Sequence, residues 1–173
     1  DYQRAAHNFD LAAQQGNEHA MHNLGLMHAQ GLGVPKNDTT SLDYFERAAA
    51  AGSLEAHNGL GFMYMYGNGV PKNATKSMEY FKSAADAGHI ESLSNLAIFH
   101  LQGLGGLAKN ETQAFEYFKK AADKNHISAQ FNLGGLYSAG TGTEKNCELA
   151  FHYQRLVTRK SPNLSFSKRG YKL

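Results

Sequence analysis

Several residue classes return along this chain at one interval, and that interval constrains the fold more than any other property of the sequence. Phe9, Phe45, Phe81 and Phe118 are separated by 36, 36 and 37 residues. Gly31, Gly67, Gly103 and Gly140 keep the same spacing, and Gly33, Gly69, Gly105 and Gly142 repeat it two residues later. Leu24, Leu60, Leu96 and Leu133 share the register, as do the pairs Lys36-Asn37, Lys72-Asn73, Lys109-Asn110 and Lys145-Asn146. One inserted residue within Gly103-Leu104-Gly105-Gly106-Leu107 accounts for the longer step. A period of this length marks a solenoid, whose units bury their apolar faces only against neighbours.

Within one period the apolar spacing is helical twice. Ala56, Leu60, Gly61, Met63 and Tyr64 predict a helix from roughly Glu55 to Tyr66. Small residues at Ala56 and Gly61 would admit a close neighbour. Gly67-Asn68-Gly69-Val70-Pro71 then stops the helix, because the glycines suit positive φ and the proline cannot continue it. A second helix opens at Asn73, Ala74 or Thr75, runs to about Ala87 and presents Met78, Phe81, Ala84 and Ala85 to the core, with Gly88 ending it. The expected fold is therefore all-α, an α/α solenoid of tandem helix-turn-helix units. It forms one array over 1–160: a partial unit at 1–16, full units at about 17–52, 53–88, 89–125 and 126–160, and then a basic C-terminal tail at 161–173.

Composition narrows the function classes. Hydrophobic residues at 42% and charged residues at 18% suit a folded rather than a disordered chain. Six of the 17 basic residues, Arg155, Arg159, Lys160, Lys168, Arg169 and Lys172, fall after the last acidic one, which leaves 11 against 15 acidic in the body. No nucleic-acid motif accompanies that basic end, so nucleic acid is not the expected partner. A single cysteine, Cys147, excludes an internal disulfide framework. No apolar run approaches 18 residues, which excludes a membrane-spanning helix in this stretch. The chain opens inside an incomplete unit and is expected to be a piece of a longer array.

The pattern Ala56-x-x-x-Leu60-Gly61-x-Met63-Tyr64-x-x-Gly67-x-Gly69-Val70, then Tyr80-Phe81-x-x-Ala84-Ala85-x-x-Gly88, resembles the Sel-1-like repeat, a cousin of the tetratricopeptide repeat. The resemblance covers nearly the whole chain and implies a TPR-like interaction scaffold without catalysis. A narrower likeness, to the luminal adaptors of Hrd-type ubiquitin ligases, rests on Asn110-Glu111-Thr112 before Tyr117-Phe118-Lys119-Lys120-Ala121-Ala122-Asp123, and on Ser138-Ala139-Gly140-Thr141-Gly142 followed by Cys147. It implies an endoplasmic-reticulum lumenal fragment of a larger, membrane-anchored protein acting in ER-associated degradation. Its partners would be ligase subunits, luminal lectins and misfolded clients, with membrane contact only through the complex or a segment outside this stretch. A homodimer stays open, and a bacterial secreted or periplasmic repeat protein with an unrelated partner is the alternative. Three positions depart from the pattern: Gly106-Leu107-Ala108 replaces the Val-Pro turn, Gln154 stands where Phe is expected, and Lys124-Asn125 fills a turn usually closed by glycine.

Asn37-Asp38-Thr39, Asn73-Ala74-Thr75 and Asn110-Glu111-Thr112 are glycosylation sequons at one repeat position, and Asn163-Leu164-Ser165 adds a fourth. The competing reading is that these asparagines only cap helices. No catalytic constellation, metal site or cofactor is expected. His19 and His22 share a helical face but have no equivalents in later units; His28 and His100 stand where Tyr64 and Tyr137 do and read as packing residues. Cys147 reads as a half-buried structural thiol, and a hydrolase would need a nucleophile and base that the sequence does not supply. In tetratricopeptide-like stacking the first helices line the inner face. Leu26, Phe62 and Ile98, with Ala29, Met65 and Leu101 and with Phe131 from the last unit, form an apolar stripe there that either binds a partner or fills contacts between units.

Overall fold

The computed structural model describes residues 1–160, which form nine helices and no strand among the described residues. Two compact units divide the chain, Asp1–Ala87 and the part from Gly88 onward. Unit 1 holds α1 (Tyr2–Gln14), α2 (Glu18–Gln30), α3 (Asp38–Ala50), α4 (Leu54–Tyr66) and α5 (Ala74–Asp86). Unit 2 holds α6 (Ile90–Gln102), α7 (Glu111–Asp123), α8 (Ile127–Ala139) and α9 (Cys147–Lys160). The tightest pairs are the hairpins α2/α3, α4/α5, α6/α7 and α8/α9, and within each unit every hairpin packs on its chain neighbour.

The two glycine columns have different causes. Gly31, Gly67, Gly103 and Gly140 cap the first helix of each hairpin at φ of 69° to 80°, a left-handed conformation that side chains disfavour. The glycine two residues later adds a steric demand. A Cβ on Gly69 would lie 2.6 Å from the Asp38 carbonyl oxygen at the start of α3, and one on Gly142 would overlap the Glu111 carbonyl at the start of α7. The turns at Gly33, Gly69 and Gly142 thus rest on the N-terminus of the preceding second helix. At the ends of the second helices, Gly16, Gly52 and Gly88 also have positive φ but open space around them. Only the backbone angle matters there, and Asn125 meets it at φ 65°. Ala87 rather than Gly88 caps α5, so the glycine follows the stop instead of making it.

Four repeat leucines anchor the cores: Leu24, Leu60, Leu96 and Leu133 are each 2% exposed or less. In unit 1 they join Phe45, Ala48, Ala56 and Met63. Gly61 lets the second helix approach, since a Cβ there would meet the Phe81 ring at 2.6 Å; Gly25 stands likewise against Phe45 at 2.9 Å. Those close passages are fastened by buried hydroxyls, Ser41 Oγ donating to the Gly25 carbonyl at 2.8 Å and Ser77 Oγ to that of Gly61 at 2.7 Å. Unit 2 has Ala114 and Ala150 at the serine positions and lacks the fastener. Met78 is only half-buried, outside the core proposed for it, because its position lies at the edge of the helix face that Phe81 centres.

Candidate functional site

Each hairpin is laced by one stacked ring pair between its two helices. His28 lies on Tyr44 at 5.7 Å between centroids, Tyr64 on Tyr80 at 5.6 Å, His100 on Tyr117 at 5.4 Å and Tyr137 on Tyr153 at 6.0 Å, all within 19° of parallel. His28 and His100 are thus packing residues that substitute for tyrosine. Burial lowers the pKa of His100 and raises those of Tyr80 and Tyr153, which keeps these rings uncharged.

The proposed apolar stripe is not uniform. In unit 1, Leu26, Ala29, Phe62 and Met65 are half-buried. Phe62 meets Phe81 edge-on at 5.1 Å and carries on its other side the parallel ring of Tyr66 at 6.2 Å. Tyr66, one helical turn beyond Phe62, is 54% exposed and was not among the sequence-derived site residues. Its register partner in α2 is Gln30, so no repeated signal pointed to it. In unit 2, Ile98 and Leu101 are 3% and 5% exposed, inside a helix with eight buried residues, and they lie closed off from solvent. Phe131 of α8 is half-buried at a different register, aligned with Asn58 and Ser94. The positions equivalent to Phe62 and Met65 in α8 are Gly135, with open space at its Cβ, and Ser138.

All three described sequon asparagines are exposed N-caps. Asn37, Asn73 and Asn110 accept backbone N–H bonds on Oδ1 from Thr40, Lys76 and Gln113 at 2.9–3.0 Å, which leaves Nδ2 outside the cap. Asn146 caps in the same way at 2.9 Å without belonging to a sequon, so capping alone does not require the threonine. Asn163 and the tail residues Lys168, Arg169 and Lys172 lie outside the described residues.

Cys147 is exposed rather than half-buried, because it is the first residue of α9 and follows the capping asparagine. His89 and His126 have a role the sequence did not suggest: they are the N-caps of α6 and α8, accepting on Nδ1 from the amides of Ser92 and Ala129 at 3.3 Å. Among the described residues, no three His, Cys, Asp or Glu side chains converge on a metal position, and no helix is long and apolar enough to cross a membrane. His19 is exposed and lies 3.5 Å from Glu18.

Solved structures share this arrangement. The chain is similar to a protective antigen present in uropathogenic Escherichia coli strains that displays an SLR fold, at 26% identity and TM-score 0.82, over 92% of this chain and 34% of that one. It is similar to a Sel1 repeat protein from Oxalobacter formigenes at 25% identity and TM-score 0.85, over 92% of this chain and 63% of that one. The Helicobacter pylori cysteine rich protein B, at 23% identity and TM-score 0.57 over 72% of this chain and 93% of that one, shares the fold. This chain thus spans about a third of the first relative and under two thirds of the second. Among curated proteins, none matches it. The Sel1 repeat pattern matches five times in succession, at 1–17, 18–53, 54–89, 90–126 and 127–153, and the chain belongs to the Sel1 repeat family.

Proposed function

We propose that the chain is the protein-docking part of an exported scaffold of the bacterial type, and that it holds its partner on the first-helix face of unit 1. As a Sel1 repeat protein it is a non-catalytic interaction scaffold. The observation that carries the location is the Phe62–Tyr66 ring stack, exposed at Tyr66 and flanked on the same helical face by Met65. Leu26 supplies the matching apolar position in α2. Aromatic groups of this kind dominate binding energy at protein interfaces. The likeness to a protective antigen supports an exported setting.

A second reading is an adaptor in the lumen of the endoplasmic reticulum, serving a ubiquitin ligase with its lectins and misfolded clients. The three exposed sequons with their free Nδ2 groups favour it. One experiment addresses both. Affinity purification from the native host, followed by mass spectrometry, should recover one dominant protein with the wild-type chain and lose it with Met65→Ser plus Tyr66→Ser, while the melting temperature falls by no more than a few degrees. Undiminished recovery would move the partner site elsewhere. An amidase that strips N-glycans should leave the chain's mass unchanged in the exported bacterial reading. A stepwise fall, one step of which Asn73→Gln removes, would favour the lumenal one.

A further inference from the structure

The chain has two Asn-Gly pairs, and the fold sets them in opposite surroundings. Asn58-Gly59 lies inside α4, where the Asn58 side chain is 7% exposed and the Gly59 N–H belongs to the helical hydrogen-bond ladder. Asn68-Gly69 lies in the turn after α4, and both of its residues are exposed. The N–H groups of Gly67 and Asn68 donate to the Met63 carbonyl at 2.8 and 3.0 Å, and the next donor along the chain is Asn73, to the Tyr64 carbonyl at 2.8 Å. The Gly69 N–H falls between them and donates to no backbone acceptor. The register of Asn68 carries Leu32, Leu104 and Thr141 in the other turns, so the turn itself does not require an amide there.

We propose that Asn68-Gly69 is a self-modification site, at which the chain's own backbone converts Asn68 to aspartate and isoaspartate. The Gly69 nitrogen, once deprotonated, attacks the Asn68 side-chain carbonyl carbon. The new C–N bond closes a five-membered imide, the bond to Nδ2 breaks, and ammonia leaves. Water then opens the ring. Cleavage at the side-chain carbonyl gives aspartate, and cleavage at the main-chain carbonyl gives isoaspartate, whose backbone runs through the former side chain. One water enters and one ammonia departs, with no change of oxidation state. Glycine favours the attack because no Cβ shields the nitrogen. At Asn58 the same reaction must wait for α4 to open locally.

Isoaspartate would matter because this turn has no slack. It lengthens the backbone by one C–C bond, about 1.5 Å. Gly69 already sits so close to the start of α3 that a Cβ would lie 2.6 Å from the Asp38 carbonyl oxygen. The longer chain should therefore lift the turn off α3 and weaken unit 1. The site follows Tyr66 by two residues, but its test involves no partner and stands apart from the docking face.

The purified full chain is aged at neutral and at mildly alkaline pH in oxygen-18 water, then mapped by fragmentation mass spectrometry. Asn68 should show the mass change of an amide becoming an acid, with oxygen-18 in the new carboxyl. Conversion should rise with pH, because the attacking nitrogen must lose its proton. Asn58 should react at least tenfold more slowly in the folded chain, and the two should react at similar rates in concentrated urea. The melting temperature of wild type should fall on ageing, whereas Asn68→Gln, whose ring closure would need six members, should keep its own. Fresh Asn68→Asp carries the charge without the added backbone atom, so it should melt closer to fresh wild type than the aged protein does. An intact Asn68 in the aged folded chain, equal conversion of Asn58, or an equal fall in melting temperature for aged Asn68→Gln would overturn the proposal.

Discussion

α4 in unit 1 and α6 in unit 2 occupy equivalent places in their hairpins, yet their corresponding columns meet opposite fates. Phe62 and Met65 of α4 stand half-open beside the exposed Tyr66, whereas Ile98 and Leu101 of α6 are closed off. The backbone does not make the difference, since both helices are 13 residues long and end on a left-handed glycine. Side chains around the column do. α6 adds Leu93 to the positions that α4 buries and is enclosed along most of its length, Ser92 and Ser94 included, while α4 keeps Tyr64 and Tyr66 at the margin. Repetition thus fixes where a column lies but leaves each unit to decide whether it is core or surface.

The sharpest way to break that contrast is to make both columns polar. Ile98→Ser with Leu101→Ser should cost roughly 3–6 kcal/mol, because two buried aliphatic side chains are lost and two hydroxyls enter an apolar environment. Met65→Ser with Tyr66→Ser should cost on the order of 1 kcal/mol, as these side chains already meet water. Urea unfolding of both double variants measures the gap. Similar costs would mean that the two columns are buried alike.

A finer contrast concerns the close helix passages. Gly61→Ala should destabilise by about 1–3 kcal/mol, because its methyl would meet the Phe81 ring at 2.6 Å and the tightly packed core must shift. The equivalent residue in unit 2 is Ala97, fully buried with its methyl in place. Ala97→Gly should instead cost about 1 kcal/mol through lost helix propensity, with more from the vacated volume. A neutral Gly61→Ala in thermal unfolding would show that the repeat keeps glycine there for some reason other than packing.

Much of this architecture was legible because it depends on features that repeat. The 36-residue register placed the hairpins, and the Gly-x-Gly pairs and the helix-opening asparagines marked the turns. The stacking role of His28 and His100 could be read from tyrosine at the same position. What escaped depends on a neighbour in three dimensions. The burial of Ile98 follows from its surroundings and not from its own column. The exposure of Tyr66 has no repeated counterpart, since Gln30 precedes it and Gln102 follows it in register. The histidine caps left no such signal, because Nδ1 is rarely used to open a helix, where Asn, Asp, Ser and Thr prevail.

Those caps give the smallest and most selective difference between the units. In unit 1, Asn17 Oδ1 accepts from the Ala20 amide at 2.8 Å and Ser53 Oγ from that of Ala56 at 3.1 Å, and neither atom titrates near neutrality. In unit 2 the acceptors are imidazole nitrogens, which lose their lone pair on protonation. Burial is the largest influence on His126 and lowers its pKa; Glu91 opposes this and His89 adds to it. A histidine with a pKa below its ordinary 6.5 takes up a proton more readily in the unfolded chain. Its contribution to stability is therefore whole above that value and is lost as the pH falls through the lower, folded one. Loss of a cap costs about 1 kcal/mol, so unit 2 should loosen by up to roughly that amount as the pH falls below 6.5 and through the lower, folded pKa, with unit 1 unaffected by this group. Amide exchange at Ala129 should accelerate relative to Ala20 over that range. His126→Asn should flatten the difference, because asparagine keeps its acceptor at either pH. Equal acceleration at Ala129 in wild type and His126→Asn would assign the acid sensitivity to some other group.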